Sequence, residues 1–328
     1  MRRLCPLIAL CLLGCPEPAS EPEWTVLADD LGGVLLSANG PSIDEAWAVG
    51  GPLGSAGDAL ILRREGGGWA RVETGFTDTL WWVWVAGPDE VFAVGEGGRI
   101  VRWSAGTLET MDTPTDAVLF GVWGSSPTDV WAVGGDPFME DETDVILHYT
   151  GSAWESVPSP MPAGVALFKV WGAAADDVWV VGQAGVILHY DGAAWAPVES
   201  PTDAPLFTVS GNASGEVWAV GGPPGVALRL DGDRWVEAEV PGPASILNGV
   251  AVGDDGSLLI VGSSGTKFYR GADGAWLDEF DAPPGGDLHA AWIGGGHALA
   301  VGGNFNSPRG AARRGVLAYR GASPPAAP

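Results

Sequence analysis

The dipeptide Val-Gly closes the second apolar run of each of seven units, at Val49-Gly50, Val94-Gly95, Val133-Gly134, Val181-Gly182, Val220-Gly221, Val261-Gly262 and Val301-Gly302, with steps of 45, 39, 48, 39, 41 and 40 residues between the glycines. A recurring unit of this length constrains a chain more than any local propensity, because each copy must bury its apolar faces on its neighbours. The plainest copy, residues 167–198, reads LFKVWG, DVWVVG, GVILHY and AWAPV, four short runs separated by small, acidic or glycine-containing breaks. Runs of that size with turn residues between them are antiparallel strands. Four strands in about 40 residues is the spacing of a propeller blade, so the expected fold is an all-β, seven-bladed β-propeller of four-stranded antiparallel blades over residues 23–321.

The copies align strand by strand. The innermost strand recurs as TLWWVWV (79–85), VLFGVWG (118–124), ALFKVWG (166–172), PLFTVSG (205–211), ILNGVAV (246–252) and DLHAAWI (287–293), with VLLSANG (34–40) in the first unit. The fourth strand opens with Trp69, Trp154, Trp195, Trp235 and Trp276, and with Leu108 in the second unit. The seventh unit ends at LAYRGASPPAAP without a fourth strand, whereas Glu23-Trp24-Thr25-Val26-Leu27 repeats the shape of Trp195 to Val198, a tryptophan followed three residues on by an aliphatic residue, Leu27 standing at the place of Val198. Residues 23–28 are therefore expected to complete the last blade beside residues 315–320, which removes the open edge of the ring. Residues 322–328 remain as a tail.

The N-terminus carries a different signal. Arg2 and Arg3 precede an apolar stretch, Leu4 to Leu13, too short to span a bilayer, so residues 1–14 read as an export signal. Leu12-Leu13-Gly14-Cys15 resembles the bacterial lipobox, and that resemblance implies a lipid-anchored Cys15; the alternative is an ordinary signal peptide with Cys15 as a free thiol. Residues 15–22, rich in Pro and Glu, form an extended tether. Pro16 after the cysteine resembles the pattern of outer-membrane retention in diderm bacteria, which gives an exported protein held at the envelope by lipid alone. Cys5 and Cys11 fall inside the signal, so a disulfide framework is excluded. A net charge of −25 repels phosphate backbones and argues against nucleic acid as a partner.

The chemistry-bearing residues fall into a few sets. Nearly every turn between first and second strands carries acid, among them Asp44-Glu45, Asp89-Glu90, Asp129, Asp176-Asp177, Glu216 and Asp254-Asp255. Such acids either initiate turns and keep a face solvated or gather cations in a ring. Units one, three and seven have longer crossings from second to third strand, at 51–58, 135–144 and 303–314, on the face where inner strands enter the channel. Trp81, Trp82, Phe120, Phe168 and Phe207 start inner strands near that mouth, either as a binding rim or as filling between blades. With Asp136, Phe138, Glu140, Asp141, Arg309 and Arg313 from the inserts they make up the candidate binding face. Asp136, Glu140, Asp141, Glu142 and Asp144 are a weak metal candidate, because they lack the spacing of a calcium loop. His148 and His189 occupy equivalent places in VILHY and read as scaffold, while His289 and His297 read as isolated. There is no nucleophile elbow, phosphate-binding loop or cysteine nucleophile, and no cofactor is expected.

The blade pattern resembles the seven-bladed propellers of the sialidase-like, Asp-box (BNR-like) and photosystem II assembly-factor-like repeat families. The local mark is His189-Tyr190-Asp191-Gly192-Ala193-Ala194-Trp195, at the place of an Asp-box but without its serine and one residue short. The sialidase resemblance would imply an arginine triad and a nucleophilic tyrosine, yet Tyr149, Tyr190, Tyr269 and Tyr319 all fall in third strands. The expected function is a non-enzymatic, monomeric binding or scaffolding module for a protein or glycan at the envelope. The alternative is a carbohydrate-active hydrolase or lyase in which paired carboxylates such as Asp136 and Glu140 face the channel.

Overall fold

The computed structural model describes residues 23–52, 57–137, 144–161, 164–305 and 314–328. Cys15, Phe138, Glu140, Asp141, Glu142, Arg309 and Arg313 lie outside the described residues, as do all of residues 1–22, on which the expected export signal and tether fall. Among the described residues twenty-eight strands, β1 to β28 in chain order, form seven four-stranded antiparallel sheets. The first strands of the blades are β2 (Gly33–Asn39), β6 (Leu80–Gly87), β10 (Leu119–Ser126), β14 (Leu167–Ala174), β18 (Leu206–Gly211), β22 (Leu247–Val252) and β26 (Leu288–Gly294). Each packs on the next, and β26 packs back on β2, so the sheets close a seven-bladed propeller around a central channel.

The seventh blade has the order β1-β28-β27-β26, with β1 (Glu23–Leu31), β27 (His297–Gly303) and β28 (Gly315–Gly321). Trp24 pairs with Arg320 and Val26 with Ala318, so both ends of the chain share one sheet as expected.

The core lies between blades. On the second strand of blade three, Val130 and Ala132 pack with Phe92 and Val94 of the preceding blade, whereas Trp131 and Val133 pack with Leu167 and Val170 of the following one. Both faces of a blade are therefore buried, which is why its strands read as continuous apolar runs rather than as alternation.

The recurrent glycine has a steric cause. A Cβ at Gly50, Gly95, Gly134, Gly182, Gly221, Gly262 or Gly302 would overlap the carbonyl oxygen of Val34, Thr79, Val118, Ala166, Pro205, Ile246 or Asp287, at the start of the same blade's first strand. The repeat is thus conserved within the chain by one close backbone approach. Beside it every first strand carries a bulge, between Leu35 and Ser37, Leu80 and Trp82, Leu119 and Gly121, Leu167 and Lys169, Leu206 and Thr208, Leu247 and Gly249, and Leu288 and Ala290. A bulge leaves one residue out of the ladder and re-aims its side chain.

Candidate functional site: the channel and its mouth

The seven bulged residues are Leu36, Trp81, Phe120, Phe168, Phe207, Asn248 and His289, one per blade. Their rings touch in sequence around the mouth. Phe207 and Phe168 are 5.7 Å apart between centroids, Phe168 and Phe120 5.5 Å, Phe120 and Trp81 5.3 Å, and Trp81 and His289 5.9 Å. Edge-on and tilted contacts at these distances are favourable aromatic geometries. Phe305, from the crossing of blade seven, extends the arc by standing edge-on to His289 at 5.0 Å. The long crossing and the starts of the first strands therefore share one end of the channel. Trp81, Phe120, Phe168, Phe207 and His289 all keep part of their surface exposed. Trp82 does not join this rim; it lies one residue deeper and faces the channel interior.

Beside the rim, Lys169 is buried between two first strands. Its Nζ donates to the Phe120 carbonyl at 3.0 Å and lies 3.3 Å from the centroid of Trp82, with the residue only 3% exposed. Burial pushes the amine well below the usual lysine range. His289 Nδ1 is 2.5 Å from the Leu36 carbonyl, which can only accept, so the proton sits on Nδ1 and Nε2 carries the lone pair. Burial, with the Lys169 charge adding to it, lowers the His289 pKa to about 3 against the opposing effect of the Leu36 carbonyl. At neutral pH the imidazole is therefore uncharged. Further along, Trp82, Trp84, Trp123, Trp171 and Trp292, with Asn39 and Ser210, line a cavity of about 250 Å³.

The acidic turns are structural. Asp129 meets His148 Nε2 at 2.6 Å, and that imidazole stacks on Trp131 at 3.9 Å. Asp177 meets His189 at 2.8 Å and the Trp179 indole N–H at 3.0 Å. Glu90 binds Arg102 and Ser104, and Glu216 binds Arg270 of the following blade. Asp255 binds Ser257, and these two hydrogen bonds hold its carboxyl below the usual range. The acids thus staple second to third strands or one blade to the next. In the insert of blade three, Asp144 is buried against Ser159, and burial raises its pKa. Asp136 is half-buried. Among the described residues no three His, Cys, Asp or Glu side chains converge on a common point.

Two site residues escaped the reading of the sequence. His289 stands in the column of Trp81, Phe120, Phe168 and Phe207, and the alignment of first strands contains that signal even though a lone histidine looks isolated. Lys169 stands where the other blades have Ser37, Trp82, Gly121, Thr208, Gly249 and Ala290. A lysine in a column of small, hydroxyl and aromatic residues marks the interior charge.

The fold and site define a seven-bladed propeller with an aromatic-rimmed channel. No protein-family model matches the chain, and no curated protein matches it by sequence. Solved structures do match its fold. A streptogramin B lyase superposes with a TM-score of 0.70 at 12% identity over 92% of this chain and 99% of the other. YCF48 from Cyanidioschyzon merolae gives 0.65 at 13% over 91% and 99%, and YCF48 bound to D1 peptide gives 0.55 at 16% over 71% and 77%. At these identities the likeness establishes the fold alone. It also corrects one expectation: because a lyase is among the structures of this fold, the absence of a familiar catalytic motif gives no ground for classing the chain as a non-enzyme.

Proposed function

We propose that the chain is a binding protein that takes a protein segment on its loop-bearing face, with the aromatic arc at the channel mouth as the anchor. The observation that carries this reading is the unbroken series of ring contacts from Phe207 through Phe168, Phe120, Trp81 and His289 to Phe305, made by residues that stay partly exposed. Rigid aromatic surface that side chains of a partner can enter is what binding hot spots are made of. A protein of the same fold, YCF48, is known bound to a peptide, which supports the use of such a scaffold in this way. In this reading the binding event occurs at a bacterial envelope with the domain tethered by Cys15, which the lipobox-like sequence Leu12-Leu13-Gly14-Cys15 supports.

A photo-crosslinking residue placed at Phe168 or Phe207 in the full-length protein tests the site in cells. A discrete crosslinked protein at these positions, absent when the probe replaces Phe280 on the outer surface, supports the reading. Crosslinks from Phe280 but from neither rim position overturn it.

A second reading, a hydrolase or lyase acting on a carbohydrate or related ligand, is favoured by the neutral imidazole of His289 in the rim and by the buried Lys169 amine, whose pKa burial lowers. Turnover of an offered glycan that is lost in Lys169→Met and His289→Gln, with binding retained, would select it over the first.

A further inference from the structure

Three residues beyond the rim, about 10 Å along the channel, the first strands carry a second column: Trp84, Trp123, Trp171 and Trp292, with Asn39, Ser210 and Ala251 at the same place in the other blades. Where this column holds tryptophan, the next position of the following blade is glycine, namely Gly124, Gly172, Gly211 and, for Trp292, Gly40; where it holds Asn39, Ser210 or Ala251, that position is Val85, Val252 or Ile293. The ring edges of Trp84, Trp123 and Trp171 lie 2.8, 2.5 and 2.6 Å from where a Cβ on their glycines would sit, and the Trp292 indole N–H donates to the Gly40 carbonyl at 2.6 Å. Each indole thus spans the seam between two first strands. Three blades fill the same seam without a tryptophan, so packing does not demand the four indoles.

Together they wall the cavity of about 250 Å³, across which lie the small side chains of Ser210 and Ala251. Trp84, Trp123 and Trp171 keep part of their surface exposed. Trp82 also lines the cavity, but the Lys169 amine, which does not, already covers its ring. No lining residue is ionisable, and Asn39 Oδ1 is taken by the Val85 N–H at 2.9 Å. A sugar or a peptide end would leave most of its polar groups unpartnered there. Acid follows the column: Asp44, Asp89, Asp129, Asp176, Glu216 and Asp254 come three to six residues later, in the turns beyond this end of the channel. Of these Asp89, Asp176 and Asp254 stay exposed. In a chain of net charge −25 such an end draws in cations, and indole rings in a space screened from water hold a cation that has no hydrogen bond to donate.

We propose that this end of the channel binds a free methylated ammonium ion of about the size of choline, its N-methyl groups among Trp84, Trp123, Trp171 and Trp292. The volume suffices, since a space of about 150 Å³ holds benzene. The site is separate from the aromatic rim, so it stands or falls independently of the peptide-binding reading.

Isothermal titration of the full-length protein with choline, and with neohexyl alcohol, in which carbon replaces the ammonium nitrogen, tests the proposal. Choline is expected to bind at least about tenfold more tightly than its uncharged isostere. Equal affinity, or no choline binding at millimolar concentration, overturns the proposal. Phosphocholine, whose phosphate would have to face the acidic turns, should bind several-fold more weakly than choline; equal or tighter binding overturns it as well. Ser210→Lys places a cation in the cavity and should weaken choline at least about tenfold, whereas Ser210→Ala removes only a hydroxyl that the ion does not use and should leave the affinity unchanged. With both folds retained by circular dichroism, unchanged affinity in Ser210→Lys or lost affinity in Ser210→Ala overturns the proposal. If Ser210→Lys does not fold, the comparison of choline with its isostere on the wild type decides alone.

Discussion

The indole N–H of Trp24 donates to Glu279 Oε2 at 2.7 Å across 255 residues of sequence, and the same carboxylate receives Arg320 through Nε at 3.0 Å and Nη2 at 2.9 Å. Trp24 lies on β1 and Arg320 on β28, the two strands that bring the chain ends together, while Glu279 follows the last strand of blade six. One side chain outside the closing blade therefore grips both strands that close it. Arg320 also lies 3.6 Å over the ring of Tyr269, so the contact continues into blade six.

Glu279→Ala should lower the stability of the propeller by about 3 kcal/mol, because it leaves the buried Arg320 guanidinium and the Trp24 N–H without their acceptor. The side chains are only 14% and 6% exposed, so solvent screens the pair little. Glu279→Gln keeps one acceptor for Trp24 and should lose less. The urea midpoint reads both, and an Ala variant as stable as the wild type would show that the strand ladder alone closes the ring.

A second interlock joins blades two to five. The ring edge of Trp84 lies where a Cβ on Gly124 would sit, and Trp123 and Trp171 have the same relation to Gly172 and Gly211, each in the next blade. A methyl group at Gly172 would come within 2.5 Å of Trp123 Cη2. Gly172→Ala should cost about 2 kcal/mol by overpacking, whereas Gly87→Ala, with nothing within 4 Å, should cost much less. Equal midpoints for the two variants would refute the interlock.

These relations explain what could and could not be read from the chain. Blade count and strand order were legible because strands buried on both faces leave uninterrupted runs, and closure was legible because Trp24 and Leu27 repeat the fourth-strand pattern of Trp195 and Val198. The rim was half legible: Trp81, Phe120, Phe168 and Phe207 declare themselves by type, but His289 does so only by column. Glu279 gave no signal, since its counterparts Val72, Val157 and Ala238, whose N–H groups make the same hydrogen bond to a third strand, are apolar. The tryptophan-on-glycine contacts were hidden for a different reason, because each glycine belongs to the neighbouring repeat and looks like the end of its own strand.

His289 makes the stability depend on pH with a definite sign. In the unfolded chain it titrates near the ordinary value of 6.5, and in the fold near 3. Between those values only the unfolded chain binds the proton, so this group's contribution is complete above about pH 6.5, falls as pH drops, and levels off below about 3. The groups against it are the Leu36 carbonyl, the rings of Trp81 and Phe305, and the Lys169 amine. Carboxylates held below their usual range, such as Glu90 and Asp255, also lose their contribution on acidification, so the comparison must be with His289→Gln. The wild type should lose more stability than that variant between pH 7 and pH 4.5. Parallel curves would show that the imidazole titrates normally.

The tether can be tested apart from the domain. If Cys15 carries lipid, the only cysteine left after removal of the signal is consumed by the modification, because Cys5 and Cys11 lie within residues 1–14. Two acyl chains give far firmer attachment than one, so the wild type should fractionate with membranes and resist salt. Cys15→Ser should abolish incorporation of labelled fatty acid and release the domain to the soluble fraction. The folded propeller should be unaffected, since its strands begin at Glu23. Membrane association that survives the substitution, with unaltered acyl labelling, would overturn the lipobox reading and leave an ordinary signal peptide in its place.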